Sequence, residues 1–151
     1  MLDRFWEFIA TGCYSGKLPK MPGTWGSIFA AIFIYFFWPE NLLFQGIIIF
    51  ITFILSVLSS HFYSLAVGIK DPDSVVIDEI IGMQIAMFGV KPSLSTVLFA
   101  LVIFRIIDIM KPPPIKVFER LPGGFGITVD DMVAGLYTNL LLRLLVWRNY
   151  V

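Results

Sequence analysis

The chain has 151 residues, and its 58% hydrophobic content lies well above the roughly 45–50% apolar usage of soluble domains, so much of its surface needs a solvent other than water. Lys plus Arg and Asp plus Glu number 11 each, and a net charge of zero gives no electrostatic reason to expect nucleic acid as a partner. At this length residues 1–151 are expected to form a single domain, and one cysteine, Cys13, with one histidine, His61, excludes an internal disulfide and a zinc site.

The first ten residues mix Asp3, Arg4 and Glu7 with aromatics and lack the basic, apolar and small-residue regions of a cleaved signal peptide. Residues 2–11 instead predict a short amphipathic helix at a membrane interface, with Phe5, Trp6, Phe8 and Ile9 as its apolar part. Ser27 to Trp38 is apolar, and Pro39-Glu40-Asn41 breaks it from Asn41 to Ser60, an uncharged stretch of the roughly 20 residues needed to cross a bilayer. These two predict an antiparallel helical hairpin.

Val75 to Val90 opens with Asp78 and Glu79 and is short for a lipid-exposed span, so its neighbours are expected to shield it. Ser93 to Met110 carries Arg105 and Asp108 near its end, where Pro112, Pro113 and Pro114 stop any helix, and Asp130 to Trp147 is apolar apart from Arg143. Unpaired backbone in lipid is costly, so β structure is not expected. The expectation is an all-α, polytopic transmembrane bundle of four to five membrane-embedded helices plus the interfacial one. Gly82, Ala86, Ala134 and Gly135 supply small residues for close helix approach.

Threading five segments alternately places the turns at Pro39–Asn41 and near Lys91, with the tail near Arg148, on one side. Lys17, Lys20, Lys70, Lys111, Lys116 and Arg120 fall opposite, which the positive-inside rule assigns to the cytoplasm. Asp78, Glu79, Asp108, Asp130 and Asp131 fall on that same face.

Asp78-Glu79-Ile80-Ile81-Gly82 and Asp130-Asp131-Met132-Val133-Ala134-Gly135 begin alike, each with an acidic pair opening an apolar helix. Helix capping explains one carboxylate of such a pair. Two doubled acids plus Asp108 would repel one another in a low-dielectric setting, and a divalent cation resolves that; Mg²⁺ also keeps positions open for a phosphate. Arg105, Asp108 and Lys111, spaced by three, share one helix face, either as a local ion pair with snorkelling cations or as phosphate contacts with Asp108 in the metal shell. The stretches Pro22-Gly23-Thr24-Trp25-Gly26-Ser27 and Gly123-Gly124-Phe125-Gly126 offer backbone N–H groups for an anion, or are loop punctuation. His61, at the predicted cytoplasmic boundary, is structural by base rate, yet its titration range suits protonating a leaving alkoxide. Cys13 lacks the nearby basic residue of a cysteine phosphatase loop and is assigned to packing.

Taken together these blocks resemble the phosphatidylglycerophosphatase A family of bacterial membrane enzymes. The likeness rests on Gly16-Lys17, Pro22-Gly23-Thr24, Gly26-Ser27, Ile77-Asp78-Glu79 with Gly82-Met83, Phe104-Arg105, Asp108, Lys111-Pro112 and Pro114-Ile115. It continues through Gly123-Gly124, Gly126-Ile127, Asp130-Asp131 and Ala134-Gly135, in order along nearly the whole chain, with His61 where the family places a histidine. The resemblance implies Mg²⁺-dependent hydrolysis of phosphatidylglycerophosphate to phosphatidylglycerol and phosphate, in phospholipid biosynthesis at the bacterial inner membrane. It implies catalytic candidates Asp78, Glu79, Asp108, Asp130, Asp131 and His61; metal ligands Asp78, Glu79, Asp130 and Asp131; and phosphate contacts Lys17, Thr24, Ser27, Arg105 and Lys111. Partners are then the lipid substrate and the bilayer, with no nucleic acid and no obligatory protein.

The expected mechanism is in-line attack on phosphorus by a metal-polarised water, with an Asp or Glu nucleophile as the alternative, while the acyl chains stay in lipid without a deep chain-binding pocket. A divalent-cation transporter is the leading rival, but its site would lie near the membrane midplane rather than at helix ends on one face. Phosphotransferases and prenyltransferases with spaced aspartate motifs are disfavoured, because the acids here are adjacent.

Overall fold

The computed structural model describes residues 2–148, and among them the chain is all-helical, with no strand. The interfacial segment forms α1 (Leu2–Ala10), with Phe5 and Phe8 exposed and Trp6 stacked on Phe62 at 5.0 Å. A 3₁₀ turn, Ser15–Lys17, leads to the hairpin of α2 (Pro22–Phe37) and α3 (Leu42–Val67). Asn41 caps α3, its side-chain oxygen accepting from the Leu43 N–H at 2.8 Å, and Gly68 ends it in the left-handed region at φ 74°. No breaker lies between Ser60 and Gly68, so α3 runs past the predicted boundary and His61 sits inside the helix rather than beyond it.

Then come α4 (Ile77–Ala86), α5 (Leu94–Met110), the single turn α6 (Ile115–Phe118) and α7 (Gly124–Trp147). A reciprocal Ser93–Thr96 capping box opens α5. Its chain direction then changes at Lys111, ahead of the three prolines. α7 begins at Gly124, ahead of the predicted Asp130 start, so Asp130 and Asp131 belong to its second turn. Neither acidic pair caps a helix: Val76 precedes α4, Gly123 precedes α7, and neither end has a side-chain cap.

Among the described residues α4 packs most extensively on α7, and the pairing of Gly82 with Gly135 and of Ala86 with Asn139 shows that the two run parallel. A Cβ added at Gly135 would lie 2.3 Å from the Gly82 carbonyl oxygen, and one at Gly82 would lie 2.9 Å from the Asp131 carbonyl oxygen. Only glycine permits this backbone-on-backbone approach. One turn earlier in each helix stand Asp78 and Asp131, and one turn later Asn139 Nδ2 donates to the Ala86 carbonyl at 2.8 Å.

That last contact answers a problem set by length. Ten residues rise about 15 Å, half of a ~30 Å hydrocarbon layer, so the carbonyls ending α4 would be stranded inside a bilayer. Asn139 also donates to Phe88 O at 2.9 Å, Arg143 Nη2 donates to the same oxygen at 2.9 Å, and Gln45 Oε1 accepts from Gly89 N at 2.8 Å. Shielding of the short segment is thus polar as well as steric.

Among the described residues only α3 is both long and apolar enough to cross a membrane alone. The expectation of four to five spans is therefore not met by length and composition: α2 is a shorter apolar helix, α5 has 17 residues with Arg105 and Asp108 near its end, and α7 carries two acids and Arg143. Large apolar side chains nonetheless face outward on every long helix, among them Phe36, Phe50, Val102 and Leu140, each more than half exposed.

Replacing Asn139 with Leu removes its two bonds to the Ala86 and Phe88 carbonyls and leaves the one from Arg143. It is expected to destabilise the protein by about 1–2 kcal/mol, read from unfolding in mixed micelles; unchanged stability would remove the capping role.

Candidate active site

Four segments end around one cavity of about 320 Å³: the start of α2, the first turn of α4, the last turns of α5 with Lys111, and the second turn of α7. The loop before α4 adds Asp71 and Asp73 to its wall. Because α4 and α7 are in register, Asp78 and Glu79 meet Asp131, and one oxygen from each lies within 4.8 Å of the others. All three residues are buried.

Gly23 makes room for this cluster. A Cβ there would lie 2.0 Å from Glu79 Oε1 and 3.1 Å from Arg105 Nη1, so the opening turn of α2 is threaded past the carboxylate with nothing to spare. Arg105 Nη1 donates to Asp108 Oδ2 at 2.6 Å and stands 3.6 Å from Glu79 Oε1. Across the cavity Lys111 Nζ donates to Asp130 Oδ2 at 2.8 Å and also pairs with Glu119. Burial is the largest influence on the Lys111 ammonium and lowers its pKa, but the bonds to Asp130 and Glu119 together outweigh it and hold the pKa above its ordinary value. Lys111 therefore acts as a fixed cation, not as a proton donor.

The sequence-predicted residues divide into two sets. Asp78, Glu79, Arg105, Asp108, Lys111, Asp130 and Asp131 all line the cavity, whereas Lys17, Thr24, Ser27 and His61 do not. Lys17 pairs with Glu7, which raises its pKa, and Ser27 Oγ donates to its own helix at Gly23 O, 2.8 Å. His61 lies exposed on α3 beside Gly123, where an added Cβ would come 2.8 Å from its Nδ1. Gly124 serves packing, since a Cβ there would fall 2.0 Å from Val57 O. The four expected metal ligands separate too: Asp130 is turned to Lys111, and the remaining three form the cluster. Asp71, Asp73 and Glu119 gain positions at or beside the site that their sequence spacing did not single out.

The donor set fits a hard divalent cation, which takes oxygen ligands. Glu79 Oε2 and Asp130 Oδ1 are buried with no hydrogen-bond partner, an expensive condition for carboxylate oxygens. Seven carboxylates line the cavity against two cationic side chains, an excess of five negative charges if all ionise. An anionic substrate would be repelled from such a wall without a counter-ion. The cluster can hold a metal ion, and the Arg105 guanidinium lines the same cavity as a candidate phosphate contact.

A family model described as phosphatidylglycerophosphatase A matches residues 8–146. Phosphatidylglycerophosphatase A of Escherichia coli (strain K12) is 38% identical over 135 residues, covering 87% of this chain and 77% of that protein. Its Haemophilus influenzae namesake is 36% identical, covering 87% and 82%. A Bacteroides thetaiotaomicron relative with the provisional name phosphatidylinositol-3-phosphatase is 32% identical over 92% of each chain. No solved structure matches the chain.

If Asp130 depends on Lys111, Lys111→Met leaves a buried carboxylate unpaired and is expected to cost about 2–3 kcal/mol in equilibrium unfolding. The Lys111→Met/Asp130→Asn double variant should recover most of that loss. Additive losses would show that the two side chains are not coupled.

Proposed function

Because the chain belongs to the phosphatidylglycerophosphatase A family, we propose that it hydrolyses the terminal phosphomonoester of phosphatidylglycerophosphate, releasing phosphatidylglycerol and phosphate in phospholipid biosynthesis. The observation that carries the reading is a single cavity lined by a three-carboxylate cluster together with Arg105 and Lys111. Mg²⁺ is the proposed cofactor, with Asp78, Glu79 and Asp131 as its protein ligands. When bound, it would offset charge on the phosphate and make water a better nucleophile at neutral pH.

Arg105 orients the phosphate through Nε and its remaining guanidinium hydrogens, while Asp108 fixes the guanidinium plane. Lys111 compensates charge on the transferring oxygens, tied in place by Asp130 and Glu119. The unpaired Asp130 Oδ1 is the free carboxylate oxygen suited to accept the proton of the attacking water. Water supplies the new P–O bond, the glycerol oxygen leaves with the electrons of the broken bond, and it takes its proton from solvent at the cavity mouth. No covalent phosphoenzyme is required. Lys17, Thr24, Ser27 and His61 receive no chemical role in this mechanism.

The same reading embeds the outward apolar faces of α2, α3, α5 and α7 in a bacterial cytoplasmic membrane as a multi-pass bundle, with the cavity at the cytoplasmic face. The basic residues Lys20, Lys70, Lys116 and Arg120 on that side support the orientation. A cation transporter is less well supported: beyond the carboxylates the α4–α7 seam closes at Gly82 and Gly135.

Asp78→Asn and Asp131→Asn should each reduce phosphate release in vesicles by at least about 100-fold while the protein remains membrane-inserted. Chelation should silence the wild type and Mg²⁺ restore it; full activity of either variant would remove that residue from the site. A substrate panel with phosphatidylinositol 3-phosphate and phosphatidic acid tests headgroup choice.

Gly23→Ala is expected to lower kcat by about 10-fold or more by displacing Glu79, with helix content retained in circular dichroism. Wild-type kinetics in that variant would mean that the Glu79 carboxylate need not sit where it does.

A further inference from the structure

A smaller recess lies beside the main cavity, between the loop before α4 and the first turn of α7. Its volume is about 90 Å³, and Lys70, Asp71, Glu119, Gly126 and Ile127 line it. Asp71 and Ile127 line the main cavity as well, so the two spaces share a wall. Lys111 links them a second way, since its ammonium bonds Asp130 of the main cavity and Glu119 of the recess. A phosphate held by Lys111 therefore has the recess beside it.

The charges of the recess narrow its occupant. Asp71 and Glu119 share it with the ammonium of Lys70, and Glu119 also takes that of Lys111, so two carboxylates are matched by two ammoniums. A second divalent cation is not called for, and a second phosphate would be repelled by both acids. What suits the space is a small uncharged donor of hydrogen bonds. Asp71 is the acceptor left for it, because Lys111 pairs with Glu119 and Asp130 and not with Asp71. In phosphatidylglycerophosphate one group answers that description: the free hydroxyl on the middle carbon of the glycerol that bridges the two phosphates. Its carbon is the neighbour of the one bearing the terminal phosphate ester.

We propose that this recess is the subsite for the headgroup glycerol, in which the middle-carbon hydroxyl donates a hydrogen bond to the Asp71 carboxylate. The inference rests on the lipid phosphatase reading and deepens it, narrowing the substrate class to phosphomonoesters of a polyol with a hydroxyl next to the ester-bearing carbon. A hydroxyl bound to a carboxylate makes a charge-assisted bond, stronger than one between neutral groups. Its effect is orientation as well as affinity. Contacts to the phosphate alone leave the glycerol free to rotate about the ester, whereas a second anchor at Asp71 fixes the direction of the leaving oxygen relative to phosphorus.

The test uses the full chain in mixed micelles with dioleoyl phosphatidylglycerophosphate and with an analogue in which propane-1,3-diol replaces the headgroup glycerol, so that the hydroxyl alone is missing. The wild type should favour the parent lipid by about tenfold or more in kcat/KM, and Asp71→Ala should bring that ratio close to one. Asp71→Asn, which keeps a neutral acceptor, should give an intermediate ratio. A wild-type ratio near one overturns the subsite and leaves the recess to water. So does a ratio that Asp71→Ala preserves because both substrates lose equally, which would assign Asp71 to the phosphate or the cation instead.

Binding of headgroup fragments gives a readout independent of turnover. With Mg²⁺ present, glycerol 3-phosphate should bind the wild type about tenfold more tightly than 3-hydroxypropyl phosphate, and Asp71→Ala should erase the difference. Equal binding of the two fragments by the wild type overturns the subsite. Discrimination between them by a wild-type protein that releases no phosphate from the lipid would instead count against the proposed hydrolysis and leave the subsite standing.

Discussion

The constraint on which the molecule depends is the contact of Gly82 with Gly135, where the backbones of α4 and α7 meet with no side chain between them. Each helix carries an aspartate one turn before its glycine, and the two helices run in parallel. Bringing the glycines together therefore brings Asp78 and Asp131 together, and Glu79 enters the same cluster. The packing that stabilises the seam forces like charges into a buried space. Helix association in an apolar solvent has little hydrophobic drive and relies on such close packing. A cation held between the carboxylates would convert their repulsion into a further link between α4 and α7.

The far end of that seam follows the same logic with neutral groups. α4 ends after ten residues, and Asn139, again one turn beyond the glycine of α7, donates to its last carbonyl, that of Ala86. Arg143 then holds Asn139 through a 2.8 Å bond from Nε to Oδ1, so the polar chain continues along α7 to the end of the bundle. Acid, glycine and amide on successive turns of one face of α7 thus organise a carboxylate cluster, a close crossing and a helix terminus. A short helix ending in lipid would be untenable without the third of these.

Much of this was legible before any coordinates. The apolar runs, the Pro39 and Pro112–Pro114 breaks and the acid-first segments located the helices, and the alternating thread placed Asp78, Glu79, Asp108, Asp130 and Asp131 at one end of the bundle. What escaped depends on partners distant in sequence. Gly124 to Val129 resembles a loop by propensity, yet it is helical because Gly124 fits against the α3 backbone at Val57, an override of local preference by packing. Gly23 could be read as part of an anion loop, and only the position of Glu79 reveals it as a spacer. Ser27 was a plausible phosphate contact by motif alone, but its hydroxyl turns back on the α2 backbone, as serine in helices commonly does.

The adjacency of the acids has its own geometric reason. Consecutive residues in a helix point about 100° apart, so the two carboxylates of a doubled acid leave the helix in different directions. In α7, Asp131 faces α4 and joins the cluster, while Asp130 faces Lys111. In α4, Asp78 stays within the seam, while Glu79 reaches past Gly23 toward Arg105. The α7 pair therefore divides between the cluster and Lys111, whereas both acids of the α4 pair enter the cluster and Glu79 also approaches Arg105. A phosphate entering the cavity would meet carboxylates and cations side by side, an arrangement that a single acid on each helix would not produce.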